Sequence, residues 1–236
     1  AVPVTLELGG KSPQIVFGDA DIEAALPFLV NAGIQNAGQT CSAASRILVE
    51  RSRFDEVVQR MAERYRGLRV GPAVDDLDVG PLVSARQREI VEGYLALARD
   101  TGLQVAAQAA LPNSLPPRGH YVAPTLLAPV DAAQRLAQEE IFGPVQVVIP
   151  FDDEADAIRI ANGTAYGLVA GVWTRDVSKA HRVARAIRAG TVWVNCYNVF
   201  DAAAPFGGYK ESGYGRELGR YALDLYTQVK SVWLRL

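Results

Sequence analysis

Cysteine, histidine and methionine are scarce in this 236-residue chain, which has two Cys, two His and one Met. Cys41 and Cys196 cannot form a disulfide framework, so a reducing compartment, the cytoplasm, is the expected setting. Two cysteines with His120 and His181 at these spacings make no zinc site, and no metal centre is expected. A Ser-His-Asp triad has no Gly-x-Ser-x-Gly elbow to support it. Excess charge of either sign is also missing: 24 Lys+Arg stand against 26 Asp+Glu, for a net charge of −2. That balance argues against a dedicated nucleic-acid binder. The longest uncharged run, Ala24 to Ser45, contains Pro27, Asn31, Gln35, Asn36 and Gln39 and is no membrane span. No basic-then-apolar leader follows Ala1. The chain opens directly on strand-like residues and is expected to begin inside a larger protein.

Hydrophobic residues make up 49% of the chain. A chain of this length buries roughly 70% of its unfolded surface without staples. Its apolar period switches repeatedly between 2 and 3.6, the mark of alternating strands and helices. Strands are predicted at Val2–Leu8, Ser12–Phe17, Ser45–Glu50, Gln104–Ala107, Tyr121–Leu127, Val145–Phe151, Leu168–Trp173, Thr191–Tyr197 and Gln228–Leu234. Asp19 and Asp21 are N-cap candidates for a helix ending at Gly38, with a kink or break expected at Pro27. Further helices are predicted from a Ser52/Asp55 capping box through Arg66, and at Val83–Arg99, Asp153–Asn162, Ser178–Arg188 and near Arg216–Leu225. The expected fold is α/β, with a mostly parallel twisted sheet flanked by helices and a C-terminal strand for oligomerisation.

Cys41 lies in a Gly38-Gln39-Thr40-Cys41 loop ahead of a strand. A free cysteine is most often a small core hydrophobe, but a loop between small and polar neighbours is where an exposed, activated thiolate can sit. Cys196, inside a predicted buried strand, reads as core. Glu7 ends an apolar strand and is followed by Gly9-Gly10. Partial burial there would raise its pKa towards that of a general base, although a plain exposed strand-end carboxylate is an equal reading. Glu139-Glu140 is either a helix-end charge pair or a ligand clamp. Gly213-x-Gly215-x-x-x-Gly219 mimics a dinucleotide fingerprint, but no strand is predicted before it, and it reads as a turn and a close-packed helix start.

Six segments taken in order resemble the aldehyde dehydrogenase superfamily. They are Leu6-Glu7-Leu8-Gly9-Gly10-Lys11-Ser12-Pro13, Gly38-Gln39-Thr40-Cys41, Gly119-His120-Tyr121-Val122-Ala123-Pro124-Thr125, Glu139-Glu140-Ile141-Phe142-Gly143-Pro144, Val194-Asn195, and Pro205-Phe206-Gly207-Gly208-Tyr209-Lys210. The resemblance implies an NAD(P)-dependent, hydrolytic oxidation of an aldehyde, with NAD or NADP as cofactor. In that reading Cys41 is the nucleophile, its backbone N–H is an oxyanion donor, and Glu7 activates water against the thioester. Glu140, Phe142 and Gln87 resemble residues at the nicotinamide ribose, and Phe200 and Phe206 resemble substrate-tunnel aromatics or plain core. The presence of Glu7 separates the chain from the CoA-acylating branch. The resemblance further implies the end of a cofactor domain at residues 1–10, a catalytic domain at 11–215, and a helix and oligomerisation strand at 216–236. A homodimer or homotetramer is expected in a longer parent, with the 236 residues alone inactive in redox turnover. A non-catalytic assembly fragment and a non-redox cysteine esterase are the competing readings.

Overall fold

The computed structural model describes residue 2 and residues 4–236. In chain order the strands are β1 (Leu6–Glu7), β2 (Pro13–Val16), β3 (Arg46–Glu50), β4 (Val105–Gln108), β5 (Thr125–Leu127), β6 (Val145–Phe151), β7 (Tyr166–Gly167), β8 (Val169–Trp173), β9 (Thr191–Val194), β10 (Tyr209–Lys210) and β11 (Gly213–Tyr214). The α-helices are α1 (Ile22–Ile34), α2 (Phe54–Arg66), α3 (Ala85–Asp100), α4 (Arg135–Gln138), α5 (Glu154–Asn162), α6 (Val177–Ala186) and α7 (Ala222–Leu225).

Seven strands form one sheet in the order β4-β5-β6-β3-β2-β8-β9. Every pairing is parallel except β4 with β5, as the strand–helix alternation predicts. The central strands are buried throughout, with Ile15, Ile47, Leu48, Val148, Ala170 and Val172 fully shielded. They are short apolar runs because helices cover both faces of a parallel sheet. Two small antiparallel pairs stand apart: β1 with β11, and β7 with β10.

Asp21 caps α1 by accepting a hydrogen bond from the Ala24 N–H at 3.2 Å. Asp19 instead braces the end of β8, accepting from the Thr174 hydroxyl at 2.7 Å and the Arg175 N–H at 2.9 Å. Helix α1 passes Pro27 unbroken, because Pro27 is on the exposed face, where water can take up the carbonyl it leaves free. The break comes later, in the 3₁₀ turn Gln35–Gly38, where Asn36, Ala37 and Gly38 all have positive φ. The Ser52/Asp55 box does not form: a 3₁₀ turn at Arg51–Arg53 precedes α2, and the Ser52 hydroxyl turns to Glu50 instead.

The C-terminal segment departs most from expectation. The helix predicted near Arg216–Leu225 is reduced to α7, since Gly215, Leu218 and Gly219 take positive φ. Gln228–Leu234 is no strand. It carries no secondary structure, and its apolar side chains Val229, Val232, Trp233 and Leu234 are exposed, having no ladder partner among the described residues. At the other end, Pro3 lies outside the described residues, and only Leu6–Glu7 of the predicted Val2–Leu8 strand pair. No helix among the described residues is long and apolar enough to cross a membrane.

Candidate active site

The segments carrying Glu7, Cys41 and Glu140 lead into β2, β3 and β6 respectively. Their side chains therefore gather at the edge where the parallel strands begin, whereas open α/β sheets usually bind ligands at the strands' carboxyl ends. The strand that carries Glu7 is the two-residue β1, outside the main sheet, where Glu7 pairs with Gly213.

Gly9 and Gly10 form the spine of the site. The Gly10 N–H donates to Glu140 Oε1 at 3.0 Å. A side chain on Gly9 would collide with the Glu140 carboxylate, and one on Gly10 with the Cys41 carbonyl. These two glycines let the Glu140 and Cys41 segments close on the same stretch of backbone.

Cys41 occupies the turn after the Gln35–Gly38 segment and is half-buried, not exposed. Gly38 sits flush against the Gly143 carbonyl, which fixes where that turn ends. Behind it, Gln146 accepts from the Tyr65 hydroxyl at 2.5 Å and donates to the carbonyls of Ala44 and Leu29 at 2.5 and 2.9 Å. The activated thiolate anticipated from the loop is not what this surrounding favours. Burial, with Glu7 and Glu140 nearby, pushes the Cys41 thiol above its ordinary value, against the N–H groups of Ser42 and Cys41 that turn towards the sulfur.

Glu7 is half-buried, and its Oε1 has no hydrogen-bond partner among the described residues. Burial and the Glu217 carboxylate raise its pKa, while the Gly208 N–H and Arg216 pull it back. That direction matches the expectation for a general base. Glu217 was not singled out in the sequence; its backbone pairs with Phe206 at 2.7 Å, and it follows Gly213, which pairs with Glu7.

Glu140 is also raised by burial, with the Gly10 N–H and Lys11 opposing. Its neighbour Glu139 is held down to about 2 by Arg135 and the Tyr94 hydroxyl, so the two halves of the pair have different roles. The Gln87 amide donates to the carbonyls of Ile141 and Phe142 at 3.1 and 2.9 Å, which holds the turn that presents Phe142. Phe142 is 38% exposed, with φ at +55°.

Phe200 and Phe206 meet edge-on at 5.5 Å, and Trp193 packs on Phe200 at the same distance. Phe206, Cys41 and Cys196 all pack against one small cluster of Ala32, Ala44, Leu168, Val169, Trp193 and Tyr197. Cys196 is therefore half-buried beyond the end of β9, not inside a strand, because β9 stops at Val194. Gly213 opens β11 and Gly215 and Gly219 turn the chain after it, all with positive φ; the two-residue β10 precedes them, and the helix start expected at these glycines does not form, α7 beginning only at Ala222. Among the described residues no group of His, Cys, Asp and Glu could hold a metal ion.

Comparison with known proteins gives the family of the chain. A family model described as the aldehyde dehydrogenase family matches residues 1–232. An aldehyde dehydrogenase of Aspergillus niger is 49% identical over 235 residues, covering 99% of this chain and 46% of that protein. Betaine aldehyde dehydrogenase 2 of Rhizobium meliloti (strain 1021) is 46% identical, covering 99% of this chain and 48% of the relative. The solved NAD+ complex of an aldehyde dehydrogenase from Bacillus cereus superposes with a TM-score of 0.93 at 46% identity, covering 99% of this chain and 47% of that one. The chain thus spans about half the length of the curated relatives it matches. It belongs to the aldehyde dehydrogenase family.

Proposed function

We propose that these residues are the thiol-bearing half of an NAD-dependent aldehyde dehydrogenase that yields a carboxylic acid. The observation that carries this reading is the convergence of Cys41, Glu7 and Glu140 on the Gly9–Gly10 spine. The Cys41 thiol gives up its proton to solvent, Sγ adds to the aldehyde carbon, and the resulting oxyanion lies beside the Cys41 N–H, which faces the sulfur. The nicotinamide ring, when bound, supplies the hydride acceptor. Cys41 then holds the acyl group as a thioester. Glu7, with its raised pKa, takes a proton from the water that attacks the thioester, and Cys41 leaves as thiolate.

The residues at Glu140 fit the ribose end of such a cofactor. A half-buried, acceptor-only carboxylate suits a pair of hydroxyls, and the exposed Phe142 ring offers a flat apolar neighbour. Gln87 supports this by holding the Phe142 turn. The NAD+ complex of the Bacillus cereus relative favours NAD over NADP. The edge-on Phe200 and Phe206 rings favour an apolar substituent on the aldehyde.

Residues 1–10 then belong to the edge of a cofactor domain, 11–215 to the catalytic domain, and 216–236 to an assembly element. The exposed apolar tail pairs across a subunit interface, giving a homodimer or homotetramer. Nicotinamide reduction requires the half of the relatives that lies outside the match, so the 236 residues alone are inactive in redox turnover. The test is aldehyde-dependent nicotinamide absorbance in the intact protein. Cys41→Ala abolishes it, and activity that survives this change would remove the assigned nucleophile.

A further inference from the structure

Helix α5 ends in a group of carbonyls that collects cations from two distant parts of the chain. Arg46, 1% exposed, donates from Nη1 to Ile160 O at 2.9 Å and from Nη2 to Ala161 O at 2.8 Å. Lys210 Nζ donates to Asn162 O at 3.1 Å and Thr164 O at 2.6 Å. Ile160 O, Ala161 O and Asn162 O are the last carbonyls of α5, at the negative end of its dipole, and Thr164 O lies two residues beyond, so both cations are well placed there. Arg46 has no carboxylate partner among the described residues, and its Nε donates to Lys11 O at 2.8 Å.

The other ends of these two connections meet at Glu7. Lys11 closes the segment that begins at Glu7 and runs through the glycine spine. Lys210 follows directly on Gly207, Gly208 and Tyr209. A Cβ on Gly207 would lie 3.0 Å from Glu7 Oε1, and the Gly208 N–H faces the Glu7 carboxylate. Arg216 grips the same turn from the opposite side, donating to Gly208 O at 3.1 Å and stacking over Tyr209. Just past Lys210, Ser212 O accepts from the Leu8 N–H at 3.1 Å and Ser212 Oγ accepts from the Gly167 N–H at 3.0 Å. Lys210 takes φ +54°, a left-handed backbone that lysine rarely adopts, at the point where the turn meets this anchor.

We infer that Lys210 is a positioning residue for Glu7: by tying the Gly207–Gly208 turn to the C-terminal carbonyls of α5, it fixes where the carboxylate stands for the hydrolytic step. This rests on the reading of Glu7 as the base. Without the Nζ anchor, the turn keeps Arg216, the β7–β10 pairing and the Ser212 contacts but loses its tie to the end of α5, which loosens one wall of the Glu7 pocket. Acyl transfer to Cys41, which does not use Glu7, is left as it was.

The test separates the two half-reactions with para-nitrophenyl acetate, which acylates a thiol without any cofactor. In the intact protein the nitrophenolate burst reports acylation of Cys41, and the slow phase reports hydrolysis. Lys210→Met is expected to keep the burst rate within about twofold and to slow hydrolysis at least about tenfold, with the acid limb of the slow phase's pH profile displaced. Lys210→Arg, which keeps a donor to the same carbonyls, restores most of the hydrolysis. If Lys210→Met does not fold, Lys210→Gln carries the same expectation, with thermal unfolding measured alongside. Equal loss of both phases, or an unchanged pH profile, would overturn the inference and leave Lys210 a plain helix cap. A slow phase that survives Glu7→Gln would overturn the base reading and the inference with it. Hydrolysis that depends on Glu7 but survives Lys210→Met would overturn the inference alone.

Discussion

Replacing Gly10 with alanine probes the closest approach in the site with a single methyl group. The new Cβ would fall inside 3.0 Å of the Cys41 carbonyl oxygen, where ordinary contact begins at 3.4 Å, and it would also press on Ser12 Oγ at 3.3 Å and Leu168 Cβ at 3.4 Å. The φ of Gly10 is not in the left-handed region, so the cost is steric and not conformational. Relief requires the Cys41 loop and the glycine spine to part by about 0.6 Å to clear 3.0 Å and about 1 Å to reach ordinary contact, with the loop held between the Gln35–Gly38 turn and β3 and the spine between β1 and β2. Overpacking of this kind costs about 2 kcal/mol. For a chain this long that lowers Tm by about 4–8 °C. A misplacement of about 1 Å can cost a hundredfold in rate, so a shift of this size should slow Cys41 acylation about tenfold. The Gly10 N–H bond to Glu140 is displaced in the same movement, weakening NAD binding. The assays are calorimetric melting, the nitrophenyl acetate burst and NAD titration. Gly93→Ala is the control: Gly93 is exposed in the middle of α3, nothing lies within 4 Å of its added Cβ, and the change should stabilise by up to about 1 kcal/mol. A Gly10→Ala protein that melts and acylates like the wild type would refute the claim that this contact sets the site.

The charges around the site give further expectations. Because burial and two carboxylates keep the Cys41 thiol protonated, its alkylation by iodoacetamide, followed by mass spectrometry of the Cys41 peptide, should have a midpoint above the ordinary cysteine value. Glu7→Gln removes one of those charges, so it should speed alkylation at pH 8 while slowing thioester hydrolysis about a hundredfold or more; slower alkylation would contradict the assigned geometry. Burial beside Arg46 lowers the Lys11 ammonium to about 7, with Glu140 and Glu139 opposing. The unfolded chain then binds a proton that the folded one does not between about pH 7 and 10, so stability from this residue rises with pH across that window. Lys11→Met should flatten the rise and raise Tm most below pH 7, which a pH series of melts would check. Gln146→Leu strands the Tyr65 hydroxyl and the Ala44 carbonyl in the core and should cost about 2–4 kcal/mol in urea unfolding.

The parallel sheet was legible because its strands are short, mostly apolar runs: Val145–Phe151 matches its predicted bounds, and β2, β3 and β8 fall within theirs. Burial on both faces writes that pattern directly into the sequence. The β7–β10 and β1–β11 pairs were not legible, since two-residue strands leave no period to detect. Cys41 and Glu7 could be singled out from their glycine-rich surroundings, because close approach demands glycine. The electrostatic state of Cys41 could not, since it depends on carboxylates brought in from residues 7 and 140. Glu217 and Lys210 escaped for a related reason: the partners that give them a role are near in space and remote in sequence. Gln228–Leu234 has the composition of a strand, but a strand also needs a neighbour, and composition does not record one.

The pairing of β1 with β11 also has a meaning in time. A chain made from its N-terminus at about 5–20 residues per second releases Glu7 well ahead of Gly207. The pocket for Glu7 waits until Gly207, Gly208 and Gly213 have emerged. The glycine spine and the Cys41 turn have their framework once β6 is in place, well before that. A nascent chain therefore acquires its nucleophile before its water-activating base. Any acyl group that Cys41 picked up in that interval would stay on the sulfur until the last turn closed.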